Sequence, residues 1–257
     1  MPPAWIHLFL DTPVERWAEA VEFWSAVTGT QVSPARGEDG QFVTLLPAEG
    51  DPWLKLQAVP AGPRIHLDLD TSDRAAAVAT ARQLGGAVAW TYHDVVVMRS
   101  PGGLLFCHTL RDASARPHLH RAGGVAADQV CLDIPARLWD AEVRFWQAIT
   151  GRDLESSSRP EFAFLGDPDP AGPIRLLLQR LDDDAPEVSA HLDLAVTDRR
   201  GEVGRHLRLG AERVAEEGSW TVLRAPSGHV YCLTDRDPRT GRVARPGGHR
   251  GSAVTAR

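Results

Sequence analysis

His66-Leu67-Asp68-Leu69-Asp70-Thr71 alternates polar with apolar residues, and related phrases stand at His7-Leu8-Phe9-Leu10-Asp11-Thr12, Gln129-Val130-Cys131-Leu132-Asp133-Ile134 and His191-Leu192-Asp193-Leu194-Ala195-Val196. This alternation is the period of a half-buried strand, and each copy precedes an amphipathic helical stretch. The chain therefore reads as four strand-helix units. A longer period overlies them: Phe23-Trp24 and Thr28-Gly29 recur as Phe145-Trp146 and Thr150-Gly151, an offset of 122 that Gln57 and Gln179 share. His66/His191, Leu84-Gly85/Leu209-Gly210 and Pro101/Pro226 are offset by 125, which places an insertion of three residues between Gln179 and His191.

The long period divides the chain into an N-terminal domain (1–111), a linker (112–127), a C-terminal domain (128–236) and a tail (237–257) expected to be disordered. Within the first repeat, residues 5–10 form a strand, and residues 13–28 a helix with Val14, Trp17, Val21, Trp24 and Val27 on one face. Strands follow near 42–46 and 53–59. The second half-unit gives a strand at 65–69, a helix at 73–84 and short strands near 87–91, 95–99 and 104–110.

A chain of 257 residues, 43% hydrophobic, has material for two cores. Its formal charge of −6 and lack of a basic block argue against a nucleic-acid partner. Apolar runs are strand-sized and no signal-peptide pattern opens the chain, so no membrane role is expected and the expected location is the cytoplasm. Cys107, Cys131 and Cys232 are too few and too scattered for a disulfide framework and are expected to be reduced. Lys55 is the single lysine among 28 basic residues, a bias read as compositional.

Helices packed on one face of the sheet leave the other face to water, a second sheet or a ligand. Ile6, Leu8 and Leu10, with Ile65, Leu67 and Leu69, belong against the helices. His7, Phe9, His66, Asp68 and Asp70 then share a concave face, a ligand-site geometry read from periodicity alone.

The first-strand His, the helix ending in Phe-Trp and Thr-Gly, the His-Leu-Asp-Leu strand, the later Leu-Gly, and the run Pro101-Gly102-Gly103-Leu104-Leu105-Phe106-Cys107 together resemble the vicinal oxygen chelate superfamily. That group includes glyoxalase I, extradiol dioxygenases, fosfomycin-resistance enzymes and bleomycin-binding proteins. More narrowly, the chain is similar to tandem glyoxalase-like domain proteins of actinobacteria. The resemblance implies an α+β fold in which paired βαβββ modules form a cup-shaped mixed sheet with helices outside, twice over. It also implies a divalent metal in catalytic members, held by His or Gln of the first strand, His of the fifth and Glu of the last. Carried over by position, these are His7, His66 and Cys107 in the first repeat, and Gln129, His191 and Cys232 in the second. Cys replaces the usual Glu in both, which favours Zn²⁺ or Fe²⁺ if a metal binds and leaves a metal-free site open.

Asp68 and Asp193 stand two residues after each strand His, as candidate general bases or as groups that orient the imidazole. Gln57 and Gln179 are candidate cavity amides. Trp53, Trp90 and Trp220 are candidate aromatic walls, whereas Trp24 and Trp146 belong to the core. His93 and His229 are expected in exposed turns, and His118 and His120 in a solvated linker. Two functions stay open: glyoxalase- or dioxygenase-type chemistry on a small molecule with vicinal oxygens, or metal-free sequestration of a hydrophobic natural product in the manner of bleomycin-binding proteins. A partner-binding module is the plain alternative. Since two repeats in one chain supply what a pair of single repeats would, either a monomer or a homodimer suffices.

Overall fold

The architecture comes from a computed structural model, which describes residue 3 and residues 5–110, 124–166 and 174–242. The first repeat runs β1 (Trp5–Pro13), α1 (Trp17–Thr28), β2 (Gln31–Val32), β3 (Phe42–Leu46), β4 (Leu54–Val59), β5 (Arg64–Thr71), α2 (Arg74–Gln83), β6 (Ala87–Tyr92), β7 (Val95–Arg99) and β8 (Leu105–Leu110). The second repeats this order as β9 (Val125–Pro135), α3 (Trp139–Thr150), β10 (Leu154–Ser156), β11 (Phe162–Leu165), β12 (Arg175–Leu181), β13 (Ser189–Val196), α4 (Arg199–Arg208), β14 (Glu212–Glu216), β15 (Trp220–Arg224) and β16 (Val230–Thr234).

Each repeat forms one eight-stranded sheet, ordered β2-β3-β4-β1-β5-β8-β7-β6 and β10-β11-β12-β9-β13-β16-β15-β14. The helical crossovers make β1 parallel to β4 and β5 parallel to β8, while β1 and β5 meet antiparallel at the centre. The outermost strands β2 and β6 do not pair with each other, so the sheet is a curled, open cup. Its convex face carries Ile6, Leu8, Leu10, Leu67 and Leu69, each completely or almost completely buried, as the alternation predicts.

Helix α1 starts later than expected. Pro13 stays extended (φ −52°, ψ 137°) and ends β1, and a single 3-10 turn at Val14–Arg16 precedes the helix. Val14 therefore falls out of phase with the buried face and is exposed, while Ala20, Phe23, Trp24 and Val27 are buried. Gly29 and Gly151 end α1 and α3 in the left-handed region (φ 65° and 66°), where a Cβ is disfavoured. The second repeat's first strand begins at Val125, inside the stretch read as linker. His118 and His120 lie outside the described residues.

The expected two cores are one. A single buried cluster takes side chains from both repeats, because each long helix packs on the last strand of the other repeat. From α1, Trp24 stands 5.1 Å and Phe23 6.0 Å from Tyr231 of β16; from α3, Phe145 and Trp146 stand 5.5 and 5.6 Å from Phe106 of β8. Polar groups fix the same seam. Arg205 donates to the carbonyls of Ala26 and Val27 at 3.0 and 2.8 Å, capping the C-terminus of α1 with a cation. Glu142, fully buried, accepts from Gly102 N at 2.5 Å and from Trp146 Nε1 at 2.8 Å.

His229, expected in an exposed turn, is buried at this seam. Its Nδ1 lies 2.9 Å from Ser227 Oγ and its Nε2 3.2 Å from the Arg64 carbonyl, an inter-repeat contact invisible in local sequence. His93 is in a turn as expected, half-exposed with φ 50°. Among the described residues, no helix is long and apolar enough to cross a membrane.

Candidate functional site

The concave face of the second repeat holds a cavity of about 730 Å³. Its floor comes from the two central strands. Gln129, Cys131 and Asp133 alternate along β9 and face His191 and Asp193 of β13, with Cys232 of β16 beside Asp193. The ligand atoms of His191, Asp193 and Cys232 lie within 4.8 Å of one another, and so do those of Cys131, Asp133 and His191.

The imidazole of His191 links the two groups. Its Nδ1 is 2.7 Å from Asp133 Oδ2, and its Nε2 is 3.3 Å from Asp193 Oδ1. A carboxylate on Nδ1 fixes the tautomer that leaves Nε2 for an inward ligand, so the set to weigh for a metal is His191, Asp193 and Cys232. Burial disfavours the imidazolium, yet the Cys131 and Asp133 groups hold its pKa well above the ordinary histidine value. Burial likewise opposes ionisation of Asp193, but His191, Arg236 and Gln129 outweigh it and keep its carboxyl below the usual range.

The residues present fit a divalent cation. Gln129 Nε2 donates to Asp193 Oδ2 at 2.5 Å, and Arg236 Nη1 is 3.7 Å from that same oxygen. The other oxygen, Asp193 Oδ1, is buried and faces His191 Nε2 at 3.3 Å, while Gln129 Oε1 is buried with no hydrogen-bond partner among the described residues. Buried acceptors of this kind are costly unless something electropositive meets them. Burial pushes the Cys232 thiol up, so it becomes a thiolate only beside a cation, and a sulfur-nitrogen-oxygen set suits Zn²⁺ or Fe²⁺.

The cavity walls are aromatic and cationic. Trp220 of β15 meets Phe162 of β11 edge-on at 5.9 Å, and the Arg159 guanidinium lies 4.7 Å from the Trp220 ring centre. Gln179 lines the cavity and lies 3.7 Å from the Cys131 thiol. Gly241 and Arg242, from the region read as tail, also line it, and the Gly241 carbonyl accepts from Arg175.

The first cup has the same strand scaffold with different contacts. His66 Nδ1 is 2.8 Å from Asp11 Oδ1, matching His191 and Asp133, but His66 Nε2 is 3.8 Å from Asp68 Oδ1. The ring of Phe9 stacks on His66 at 4.5 Å and 10°. His7 points to Asp70 at 3.3 Å, and Thr109 Oγ1 donates to the other Asp70 oxygen at 2.6 Å. Burial pushes the Cys107 thiol up. Among the described residues, His7, His66 and Cys107 do not converge into a three-ligand cluster.

Of the other sequence candidates, Gln57 lies on the concave face of β4 opposite Asp11. Trp53 is buried in the core and lines a separate crevice of about 250 Å³ beside Gly29 and Ala126. Trp90 stands on the edge strand β6 opposite Val97, 44% exposed, at the rim. Trp220 alone of the three lines the large cavity. Sequence reasoning passed over Asp11 and Asp133, the groups that orient the two histidines, although they recur at the 122 offset and share a face with His7 and Gln129. It also passed over Arg236, whose partners Asp128 and Asp193 are remote in sequence.

Solved structures of low sequence identity match the chain. A Mn(II)-bound glyoxalase from Novosphingobium aromaticivorans is 18% identical, with TM-score 0.61 over 91% of this chain and 81% of that one. A 2,2',3-trihydroxybiphenyl 1,2-dioxygenase from Sphingomonas wittichii is 16% identical, with TM-score 0.60 over 91% and 90%. A 4-hydroxymandelate synthase variant from Streptomyces coelicolor is 17% identical, with TM-score 0.58 over 95% and 94%. These likenesses show the fold. No curated protein sequence matches the chain. The sequence profile described as "Glyoxalase-like domain" matches residues 7–109 and again 129–234. With both matched stretches folded as the curled βαβββ pairs of the vicinal oxygen chelate superfamily, the chain belongs to the glyoxalase-like domain family.

Proposed function

We propose that the second cup is the working site and that it holds a divalent metal through His191, Asp193 and Cys232 while a small molecule with oxygen donors occupies the cavity. One observation carries this: three ligand atoms converge at the floor of a cavity of about 730 Å³ beside the buried, unpartnered Gln129 Oε1. A metal there supplies Lewis-acid polarisation of the substrate's oxygens. Asp133 orients His191; Gln129 and Arg236 hold the outer oxygen of Asp193; Trp220 and Phe162 receive the substrate's planar or apolar part. The reaction class is glyoxalase-type isomerisation or lysis, or dioxygenation. Both strands of the floor come from one repeat, so a second copy of the chain is not needed to complete it.

A second reading has its own observation. Gln129 already hydrogen-bonds Asp193, and His191 sits between two carboxylates, so the floor is partly satisfied without a metal. The cup would then bind a planar natural product and release it unchanged.

Elemental analysis of untagged protein, purified under reducing, low-oxygen conditions, separates the two. The metal reading expects about one equivalent of Zn, Fe, Mn, Co or Ni, lost in His191→Ala and kept in His66→Ala. No metal after reconstitution with each ion overturns it and leaves the binder.

A further inference from the structure

The only lysine in the chain stands in the first cup, on the concave face of β4, directly opposite Phe9 of β1. Its ammonium nitrogen lies 5.3 Å from the centre of the Phe9 ring. Among the described residues it makes no hydrogen bond and no ion pair within 4.0 Å, and it is only partly exposed. Every other member of its 28 Lys and Arg residues is arginine. Arginine cannot lose its proton near neutral pH and is no nucleophile, so the one place where an amine replaces it is the place where amine chemistry is available. The surroundings point the same way: Asp68 Oδ1 and His7 Nδ1, both in this cup, are buried without hydrogen-bond partners. At the corresponding positions the second cup has Leu177 and Cys131, so this arrangement belongs to the first cup alone.

We propose that the first cup is a carbonyl-capture site in which Lys55 forms an imine with a small aldehyde or ketone. The neutral amine attacks the carbonyl carbon and forms the C–N bond, and one N–H proton passes to the former carbonyl oxygen. The C–O bond of the carbinolamine then breaks, and the hydroxyl leaves as water with the second N–H proton, carried by the Asp68 carboxylate. Amine and carbonyl become imine and water, with no change of oxidation state. Burial lowers the Lys55 pKa, against the pull of Asp68 and Asp70 and with the help of Arg36, which enlarges the neutral fraction that reacts. Phe9 supplies an apolar floor under the amine.

The single lysine makes the test direct. Full-length protein is incubated with propanal and sodium cyanoborohydride at pH 7, digested, and the Lys55 peptide followed by mass spectrometry, with the α-amino group as internal reference. The proposal expects Lys55 to be propylated about tenfold faster in native protein than in protein unfolded in urea. Lys55→Arg should show no added mass on that peptide, and removing metal with a chelator should leave the native rate unchanged. A native rate equal to or below the unfolded one overturns the proposal, and that comparison needs no variant to fold.

Discussion

The two cups share strand order and central histidines, with the same register up to a bulge at Asp193/Leu194 in the second, yet they differ at the pair of positions beside the imidazole. In the first, Phe9 and Lys55 face each other across β1 and β4; in the second, Cys131 and Leu177 do. The Phe9 ring lies flat on His66 and takes the space over it, while the small thiol of Cys131 leaves His191 open to a large cavity. The histidine-to-aspartate approach is 3.8 Å in the first cup and 3.3 Å in the second, and three-ligand groups form only in the second among the described residues. The two repeats supply two similar scaffolds, and a few lining residues make their concave faces chemically different.

The largest expected effect breaks the comparison outright. His191→Ala should weaken metal binding by at least about a hundredfold, whereas His66→Ala should leave it unchanged, as read by competition with a chromophoric chelator. Equal losses in both variants would mean that the cups are alike.

The seam between the repeats is asymmetric too. Glu142 bonds Trp146 Nε1, while the matching Trp24 Nε1 is buried without a partner. Removing the carboxylate strands the Trp146 and Gly102 donors, so Glu142→Ala should cost about 2–4 kcal/mol in urea unfolding. A loss under about 0.5 kcal/mol would show that the seam does not need it.

Importing the first cup's ring sharpens the contrast at the site. Cys131→Phe should reduce metal or ligand affinity about tenfold by crowding His191. The reverse exchange, Phe9→Cys with Lys55→Leu, should allow a second metal equivalent to bind, measured by titration.

Acid should act on the seam before it acts on the floor of the second cup. His206 of α4 is buried at the seam, its Nδ1 2.7 Å from Tyr231 Oη and its ring 6.0 Å from Phe23; burial holds it down to about 3 and His229 down to about 4. Both lie below the unfolded value of 6.5, so the unfolded chain binds protons first. Their stabilisation is complete above pH 6.5 and is lost as pH falls toward 4, with a slope of up to about 1.4 kcal/mol per pH unit for each histidine. His191, with its pKa raised, has the opposite sign, and its contribution is lost as pH rises through its folded value. Urea melts across pH 4–7 on wild type and His206→Gln measure the difference, and an unchanged slope would rule out His206 as a source.

The smallest effect concerns the tryptophans. Trp90→Ser, at the exposed rim, should change stability by no more than about 0.5 kcal/mol, while Trp220→Ser should weaken ligand binding measurably.

Most of the fold was legible because alternation and the 122 and 125 offsets are local or strictly periodic signals. The strand faces of β1 and β5, the core positions of Trp24 and Trp146, and the glycine stops at Gly29 and Gly151 all follow from them. The site was legible only in outline. His191, Cys232 and Trp220, which line the large cavity, could be chosen by position, but the same rule gave Trp53 to the cup although its ring packs in the core. Asp11 and Asp133 carried a recurrence signal, but each meets its histidine across two strands, a contact that spacing within one strand does not reveal.

Sequence by itself determined the number of repeats, the alternation that sends one set of side chains inward, and the residue types available on each concave face, since these depend on period and chemistry alone. Tertiary structure decided three further things: that α1 and α3 pack on each other's repeat and merge two cores, that His229 is buried against Arg64, and that the donors converge in the second cup. Each depends on the separation of groups far apart in the chain, where a few tenths of an ångström or one aromatic ring decides which side chains a histidine meets.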